Sequence, residues 1–157
     1  MTYTIRPAGP EDAAGITALR RMPGVLEQAA SLPSDRPRRM EELLRQPGQG
    51  RHVLLAVSPD HTVLGLVMLT VESNPRRRHA GGLGIMVRTD CQGQGIAAAL
   101  CDALEAHCRE LGVDAVTVHA SKTALPFFLG RGYAIEREQQ VPCRGQVLTN
   151  YALEKIL

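Results

Sequence analysis

Two glycines, Gly93 and Gly95, stand one residue apart immediately before an aliphatic run that suits a helix. Glycine lets the backbone adopt positive φ values and approach a ligand closely. The first amides of a helix have no acceptor inside the helix, so they can bind an anion. Gln92 and Gln94 add donors that carry no charge. The stretch CQGQGIAAAL, residues 91–100, therefore predicts a loop that binds a phosphate or pyrophosphate group.

Three kinds of phosphate-binding loop fit this spacing to different degrees. A Walker loop needs Lys and Ser or Thr after its last glycine, and Gly95 is followed by Ile-Ala-Ala. A dinucleotide fingerprint matches formally, but five residues separate Val87 from Gly93, and the expected acid is missing because Asp114 precedes the next strand. A wider loop remains, in which successive backbone amides and the start of a helix surround a pyrophosphate.

The elements that must position this loop follow from apolar periodicity and turn residues. Strands are predicted at residues 2–7, 52–58, 62–72, 83–88, 115–120, 133–139 and 146–156. Helices are predicted from about residue 10 to 21, and at 36–46, 95–111 and 123–130. The order β-α-α-β-β-β-α-β-α-β-β predicts an α/β domain with a mixed sheet.

Composition limits the class of protein. The 157 residues fit a single domain, residues 1–157, with 44% hydrophobic and 22% charged side chains. Only 3% are aromatic and the net charge is +2, so neither a nucleic-acid nor a membrane partner is expected. Four cysteines without a C-x-x-C pair predict reduced thiols in a cytoplasmic protein. The histidines, among them His52, His107 and His119, show no ligand spacing, so no metal is expected.

Two motifs together resemble a known superfamily. The spacing V-R-T-D-C-Q-G-Q-G-I-A resembles V-x-x-x-x-Q/R-x-x-G-x-G/A, motif A of the GCN5-related N-acetyltransferases (GNAT), which binds coenzyme A. Its four positions are occupied by Val87, Gln92, Gly95 and Ala97. After the next strand, SKTALPFFLGRGY at residues 121–133 resembles the second signature, N-x-x-A-x-x-F-Y-x-K-x-G-F. The resemblance covers the whole chain in element order.

This resemblance implies a fold and a co-substrate. The GNAT fold is a central, mixed but mostly antiparallel sheet of about seven strands, flanked by about four helices, with a splay between the fourth and fifth strands. The co-substrate is acetyl-CoA, and no metal is involved. Its binding residues would be Val87, Gln92, Gly93, Gln94, Gly95, Ile96, Ala97, Ser121, Thr123 and Phe128. The backbone at Met86 or Val87 would serve the acetyl carbonyl oxygen and the pantetheine arm.

The proton carriers depart from the superfamily pattern. Many members use a glutamate on the strand that corresponds to LGIMV, and this segment contains no acid. His79 is the nearest titratable candidate, either as the base or as a group that orients the substrate, and a water chain is the alternative. The tyrosine that protonates the leaving thiolate falls at Phe128, and the usual asparagine at Ser121.

A closer resemblance concerns the acceptor. Residues 32–34 and 75–87 are similar to the bacterial subfamily that acetylates the α-amino group of L-amino acids. It implies a small-molecule amine acceptor, a homodimer, and acceptor contacts from Arg76, Arg78 and Tyr151, with transfer by direct attack in a ternary complex. The alternatives are acetylation of protein N-termini or polyamines, and a coenzyme A-binding module with weak or no catalysis.

Overall fold

The computed structural model describes residues 2–22, 44, 50–71, 80–122, 124–143 and 145–157. The strands are β1 (Thr4–Pro7), β2 (Arg51–Val57), β3 (Val63–Val71), β4 (Ala80–Val87), β5 (Ala115–Ser121), β6 (Ala134–Cys143) and β7 (Gln146–Ile156). The helices in these ranges are α1 (Ala13–Arg21), α2 (Ile96–Leu111) and α3 (Leu125–Gly130). Among the described residues, no helix is both long enough and apolar enough to cross a membrane.

The strands form one seven-stranded sheet in the order β1-β2-β3-β4-β5-β7-β6. Neighbouring strands pair antiparallel, except for β4 and β5, which are parallel. A parallel pair needs a crossover connection, which α2 supplies. The mixed, mostly antiparallel sheet predicted from the sequence is therefore confirmed.

The parallel strands β4 and β5 pair along only part of their length. Pairing between β4 and β5 runs from Ala80 opposite Ala115 to Leu83 opposite Val118. Both strands continue beyond this point, β4 to Val87 and β5 to Ser121. The two strand ends diverge, which confirms the predicted splay between the fourth and fifth strands.

Two apolar clusters cover the two faces of the sheet. The α2 face is the one on which α2 packs, and its buried side chains include Leu83, Leu100, Leu104, Val116, Val118 and Leu153. The α1 face is the one on which α1 packs, and its buried side chains include Ile16, Leu19, Leu55, Val63 and Leu66. Side chains alternate between these faces along each strand, so strand position decides which face a residue serves.

Some predicted boundaries change in the structure. β4 begins at Ala80, so Gly81 and Gly82, predicted to be a flexible segment before the strand, belong to it. A Cβ at Gly81 would lie 2.5 Å from Leu69 Cδ1, so a larger residue here would require the Leu69 side chain to move. β6 extends to Cys143 instead of ending at residue 139. Of the predicted helix at residues 36–46, only Leu44 lies within the described residues, and it is helical.

Candidate active site

The segment that joins β4 to α2 is fixed by its own contacts. The amide of Arg88 donates to the carbonyl oxygen of Leu64 at 2.8 Å, and that of Cys91 donates to Arg88 at 3.0 Å. The Arg88 guanidinium donates to both carboxylate oxygens of Asp90, at 3.0 and 2.9 Å. These hydrogen bonds lower the pKa of Asp90 to about 2, so the pair is ionised at neutral pH. The segment is ordered by the protein alone.

The glycine loop, residues 92–95, has the backbone conformation that its sequence predicts. Gly93 and Gly95 have φ values of 80° and 79°, in the left-handed region that side chains rarely adopt. An added Cβ at either glycine would meet no atom within 4 Å. The glycines are therefore required by their φ values, and the space beside them is open to a ligand.

The glycine loop leads directly into α2. The amide of Ala99 donates to the carbonyl oxygen of Gly95 at 3.0 Å, the first hydrogen bond of the helix. The amides of Ile96, Ala97 and Ala98 precede it and have no acceptor within the helix. The Ile96 side chain is 1% exposed and anchors this end of α2 in the core. A helix N-terminus with free amides favours a negatively charged group.

A cavity of about 680 Å³ lies between the diverging ends of β4 and β5 and reaches the glycine loop. It is lined by the end of β4 (Leu83, Gly84, Ile85, Met86, Val87), the loop (Cys91, Gln92, Gly93, Gly95), the start of α2 (Ile96, Ala97, Ala98), the end of β5 (Val118, His119, Ala120, Ser121) and the α3 region (Ala124, Phe127, Phe128). The strand split and the anion-binding helix terminus therefore open onto one space.

Most of the residues predicted to form the site meet at this cavity. These are Met86, Val87, Gln92, Gly93, Gly95, Ile96, Ala97, Ser121 and Phe128. Gln94 is exposed and does not line the cavity. Tyr151 lies opposite Ala120 and packs against the cluster on the α2 face, away from the cavity lining. Four predicted residues, Arg76, Arg78, His79 and Thr123, lie outside the described residues.

Aromatic side chains form one wall of the cavity. Phe128 is 2% exposed, and its ring packs edge-on against Phe127 and Tyr133, with centroid distances of 5.0 and 5.2 Å. Within the described part of the chain the buried Tyr133 hydroxyl has no hydrogen-bond partner, and burial raises its pKa. Phe128 thus offers an apolar surface, and Tyr133 is a core residue that keeps its proton at neutral pH.

Ser121, which replaces the asparagine of the second signature, has a structural contact. Its hydroxyl oxygen accepts a hydrogen bond from the amide of Ala124 at 3.2 Å. This amide directly precedes α3, so the serine stabilises the turn between β5 and that helix. Ser121 therefore holds the Phe128 wall in position as well as lining the cavity.

His119 lines the cavity, although its sequence position had suggested no role in the site. It directly follows Val118, the last β5 residue paired with β4, and its side chain is exposed. The alternation in AVTVHAS places it on the face opposite Val116 and Val118. That alternation can be read from the sequence, but the position of the strand split, directly after Val118, is known only from the strand register.

The buried thiols are held in their neutral form. Burial raises the pKa of Cys91, which is 4% exposed beneath the glycine loop. Burial also raises the pKa values of Cys101 and Cys108 to about 11. A neutral thiol is a weak nucleophile, so these three cysteines serve as core residues. In the described ranges, no group of three or more His, Cys, Asp or Glu side chains is placed to hold a metal ion.

Comparisons with known proteins agree with this geometry. A family model described as an acetyltransferase (GNAT) domain matches residues 27–155. A GNAT-family acetyltransferase from Streptococcus pneumoniae superposes with a TM-score of 0.85 at 22% identity, covering 99% of this chain and 100% of that one. A phosphinothricin acetyltransferase from Sinorhizobium meliloti in complex with AcCoA gives a TM-score of 0.84 at 20% identity, covering 100% and 89%.

A third structure extends the range of acceptors named among similar proteins. Ribosomal-protein-alanine N-acetyltransferase from Brucella melitensis superposes with a TM-score of 0.83 at 21% identity, covering 98% of this chain and 99% of that one. A comparison with curated proteins finds no match. At these identities the structural likenesses show the fold, whereas the family model spans most of the sequence. The chain belongs to the GNAT family of acetyltransferases.

Proposed function

We propose that this protein transfers the acetyl group of acetyl-CoA to the α-amino group of an L-amino acid or a close analogue. The observation that carries the proposal is the single cavity that joins the glycine loop, the free end of α2 and the split between β4 and β5. The family supports acetyl-CoA-dependent N-acetylation in general. The choice of acceptor is our own inference.

The described residues fit acetyl-CoA. The open space at Gly93 and Gly95, together with the free amides of Ile96 and Ala97, suits a pyrophosphate. Gln92 lines the cavity and Gln94 is exposed beside it, so both can add uncharged donors. Thr123, which lies outside the described residues, is the remaining acetyl-CoA-binding residue proposed from the sequence.

The strand split suits the thiol end of the co-substrate. Beyond Leu83, β4 pairs with none of the described residues on its β5 side, and we take the main-chain groups of residues 84–87 on that edge to be available to the thioester. We assign the acetyl carbonyl oxygen to a backbone amide at Met86 or Val87, where a fixed donor would stabilise the developing negative charge. The Phe128 ring would border the sulfur.

Direct transfer requires no covalent intermediate with the enzyme. The amine nitrogen attacks the thioester carbon, the C–N bond forms, and the C–S bond breaks. Because Phe128 has no proton to donate, the thiolate leaves unassisted, which a thiol pKa of about 8.5 permits. The chain must still accept a proton from the amine, because an α-amine is mostly protonated at neutral pH.

The acceptor is inferred from the sequence and from the shape of β4. Arg76 and Arg78 are suited to binding a carboxylate through two parallel hydrogen bonds, with His79 beside them. On the α1 face of β4, Gly82 and Gly84 have no side chains, and a Cβ at Gly84 would meet no atom within 4 Å. This open surface beside the split leaves room for a small acceptor. Tyr151, predicted as an acceptor contact, packs on the α2 face and is not part of this proposed acceptor surface.

Release of free thiol from acetyl-CoA tests this proposal across an acceptor panel. The panel holds L-amino acids, their D-enantiomers as matched controls, phosphinothricin, spermidine and a peptide with a free N-terminus. We expect turnover with one or more L-amino acids or phosphinothricin, and at least tenfold slower turnover with the D-enantiomers. Turnover confined to spermidine or the peptide would replace the proposed acceptor, and acetyl-CoA binding without turnover on any amine would indicate an inert binding module.

The resemblance also supports a cytoplasmic, single-domain homodimer, which we include in the proposal. Light scattering on the purified chain measures the assembly directly. A mass of twice 17.0 kDa is expected. A monomer at micromolar concentration would remove the dimer from the proposal and leave the proposed reaction unchanged.

A further inference from the structure

His119 occupies a defined point in the sheet, one residue beyond the last β4–β5 pair. Val118 is the final β5 residue with a partner on β4. His119 follows it on β5, is exposed, and lines the cavity. The imidazole therefore lies where the two strands separate, beside the main-chain edge of β4 that we assign to the acetyl group.

The face on which His119 lies is the one left open for an acceptor. Val116, Val118 and Ala120 belong to the buried cluster on the α2 face, so His119 projects to the opposite face. On that face β4 contributes Gly82 and Gly84, which have no side chains, followed by Met86 at the end of the strand. A Cβ at Gly82 would come no closer than 3.9 Å to any atom. The imidazole therefore borders space that an amine could enter.

Few groups at this cavity can take a proton. Of its described lining residues, only His119 and Cys91 have ionisable side chains, and Cys91 is 4% exposed with its pKa raised by burial. Among the described strand residues, the charged side chains on the His119 face include Glu154 on β7, opposite Thr117, and Arg137 on β6, opposite Ala152. Arg51 and Arg6, on the distant strands β2 and β1, also lie on this face. α3 packs against the other face of β5 and contains no titratable side chain.

We propose that His119 is the proton acceptor for the attacking amine, an inference that rests on the proposed function. Histidine changes its charge between pH 5 and 8, so a neutral imidazole can accept a proton there. The ammonium loses two protons in the overall reaction. One passes to the imidazole and then to solvent, and the other ends on the sulfur of free CoA as the C–N bond forms and the C–S bond breaks.

The test measures kcat and KM against pH for wild type, His119→Ala and His119→Gln. We expect kcat at pH 7 to fall about 10²-fold in both variants, the typical contribution of a general base. The KM for acetyl-CoA should stay within about twofold, and the decline of kcat at low pH should move toward the pKa of the amine itself. Added imidazole should restore part of the rate in His119→Ala and none in His119→Gln, where the side chain fills the space.

The matched control is His61→Asn, at an exposed histidine in the β2–β3 turn that does not line the cavity. Asparagine tolerates the φ of 67° at this position, so rate and pH profile should be unchanged. Wild-type turnover with an unaltered kcat–pH profile in the His119 variants would overturn this inference alone. The inference would also be overturned if His79→Ala, and not the His119 variants, lowered kcat and altered its pH profile. Absence of wild-type turnover on every amine would overturn both this inference and the proposed function.

Discussion

Leu83 on β4 and Val118 on β5 form the last cross-strand pair of the parallel strands, and the strands diverge directly beyond it. Both side chains are buried in the cluster on the α2 face, at 7% and 4% exposure. This pair therefore marks the boundary between the closed sheet and the cavity. The glycine loop lies at the end of β4, and His119 lies at the end of β5, so the boundary places both beside the same space.

The two ends of α2 offer a matched pair of glycine substitutions. Gly95 and Gly112 have φ values of 79° and 77°, and a Cβ at either would meet no atom within 4 Å. Alanine at each position should cost about 1 kcal/mol of stability because the left-handed conformation is strained. Only Gly95→Ala should also weaken acetyl-CoA binding, by tenfold or more, because its methyl group occupies the ligand's space. Urea denaturation and calorimetric titration measure the two effects, and equal affinity in both variants would contradict the assigned loop.

Two substitutions of Phe128 distinguish its role in packing from a role in proton transfer. Phe128→Ala should cost about 3–5 kcal/mol, because the ring is 2% exposed and contacts two aromatic neighbours. Phe128→Tyr keeps these contacts and should change kcat by less than about tenfold, since the thiolate leaves unassisted. A rise of 10²-fold in Phe128→Tyr would show instead that protonation of the leaving group limits the natural enzyme.

Glu105 should be the more important of two carboxylates that bind one arginine. Arg131 lies 3.4 Å from Glu105 and 2.7 Å from Asp102, whose side chains are 6% and 71% exposed. Lys155 donates to both Glu105 oxygens at 3.1 Å. Glu105→Gln should cost about 2 kcal/mol, because it leaves partly buried cations without their partner. Asp102→Asn should cost less than about 1 kcal/mol, because solvent screens the ion pair between Asp102 and Arg131. Equal losses in urea denaturation would refute this ranking.

A pair of histidines should make stability depend on pH. His107 Nε2 lies 3.2 Å from His52 Nδ1, so one ring donates a hydrogen bond and the other accepts it. Burial, and next the charge of His107, lower the pKa of His52 below its usual value. The unfolded chain therefore binds a proton at this residue before the folded chain does, and stability should fall as the pH decreases through about 6.5.

Thermal unfolding between pH 8 and 5.5 measures this effect. The melting temperature should fall less over this range in His52→Gln than in the wild type, because the substitution removes the group that titrates. His61→Asn is the control, since His61 is exposed and has no histidine neighbour among the described residues. A wild-type decline that persists unchanged in His52→Gln would assign the pH dependence to other groups.

Much of the fold followed from local patterns. The alternation of apolar residues predicted the strands, and the glycine spacing before α2 predicted a loop whose φ values the structure confirms. The errors lay at boundaries that depend on neighbours. Gly81 reads as a flexible residue in the sequence, but it belongs to β4 because it pairs with Val71 on β3 and with Val116 on β5. β6 extends to Cys143 because β7 pairs with it along that length.

The sequence by itself determined the anion-binding loop and the replacement of the usual tyrosine by Phe128. These features depend on residue type and on spacing within one short segment, and backbone preferences act over that range. Only the tertiary structure decided that His119 lines the cavity and that Tyr151 does not. The register that ends at Leu83 and Val118 brings His119 to the cavity and leaves Tyr151 packed on the α2 face. Pairing between strands distant in sequence sets that register, and no local pattern encodes it.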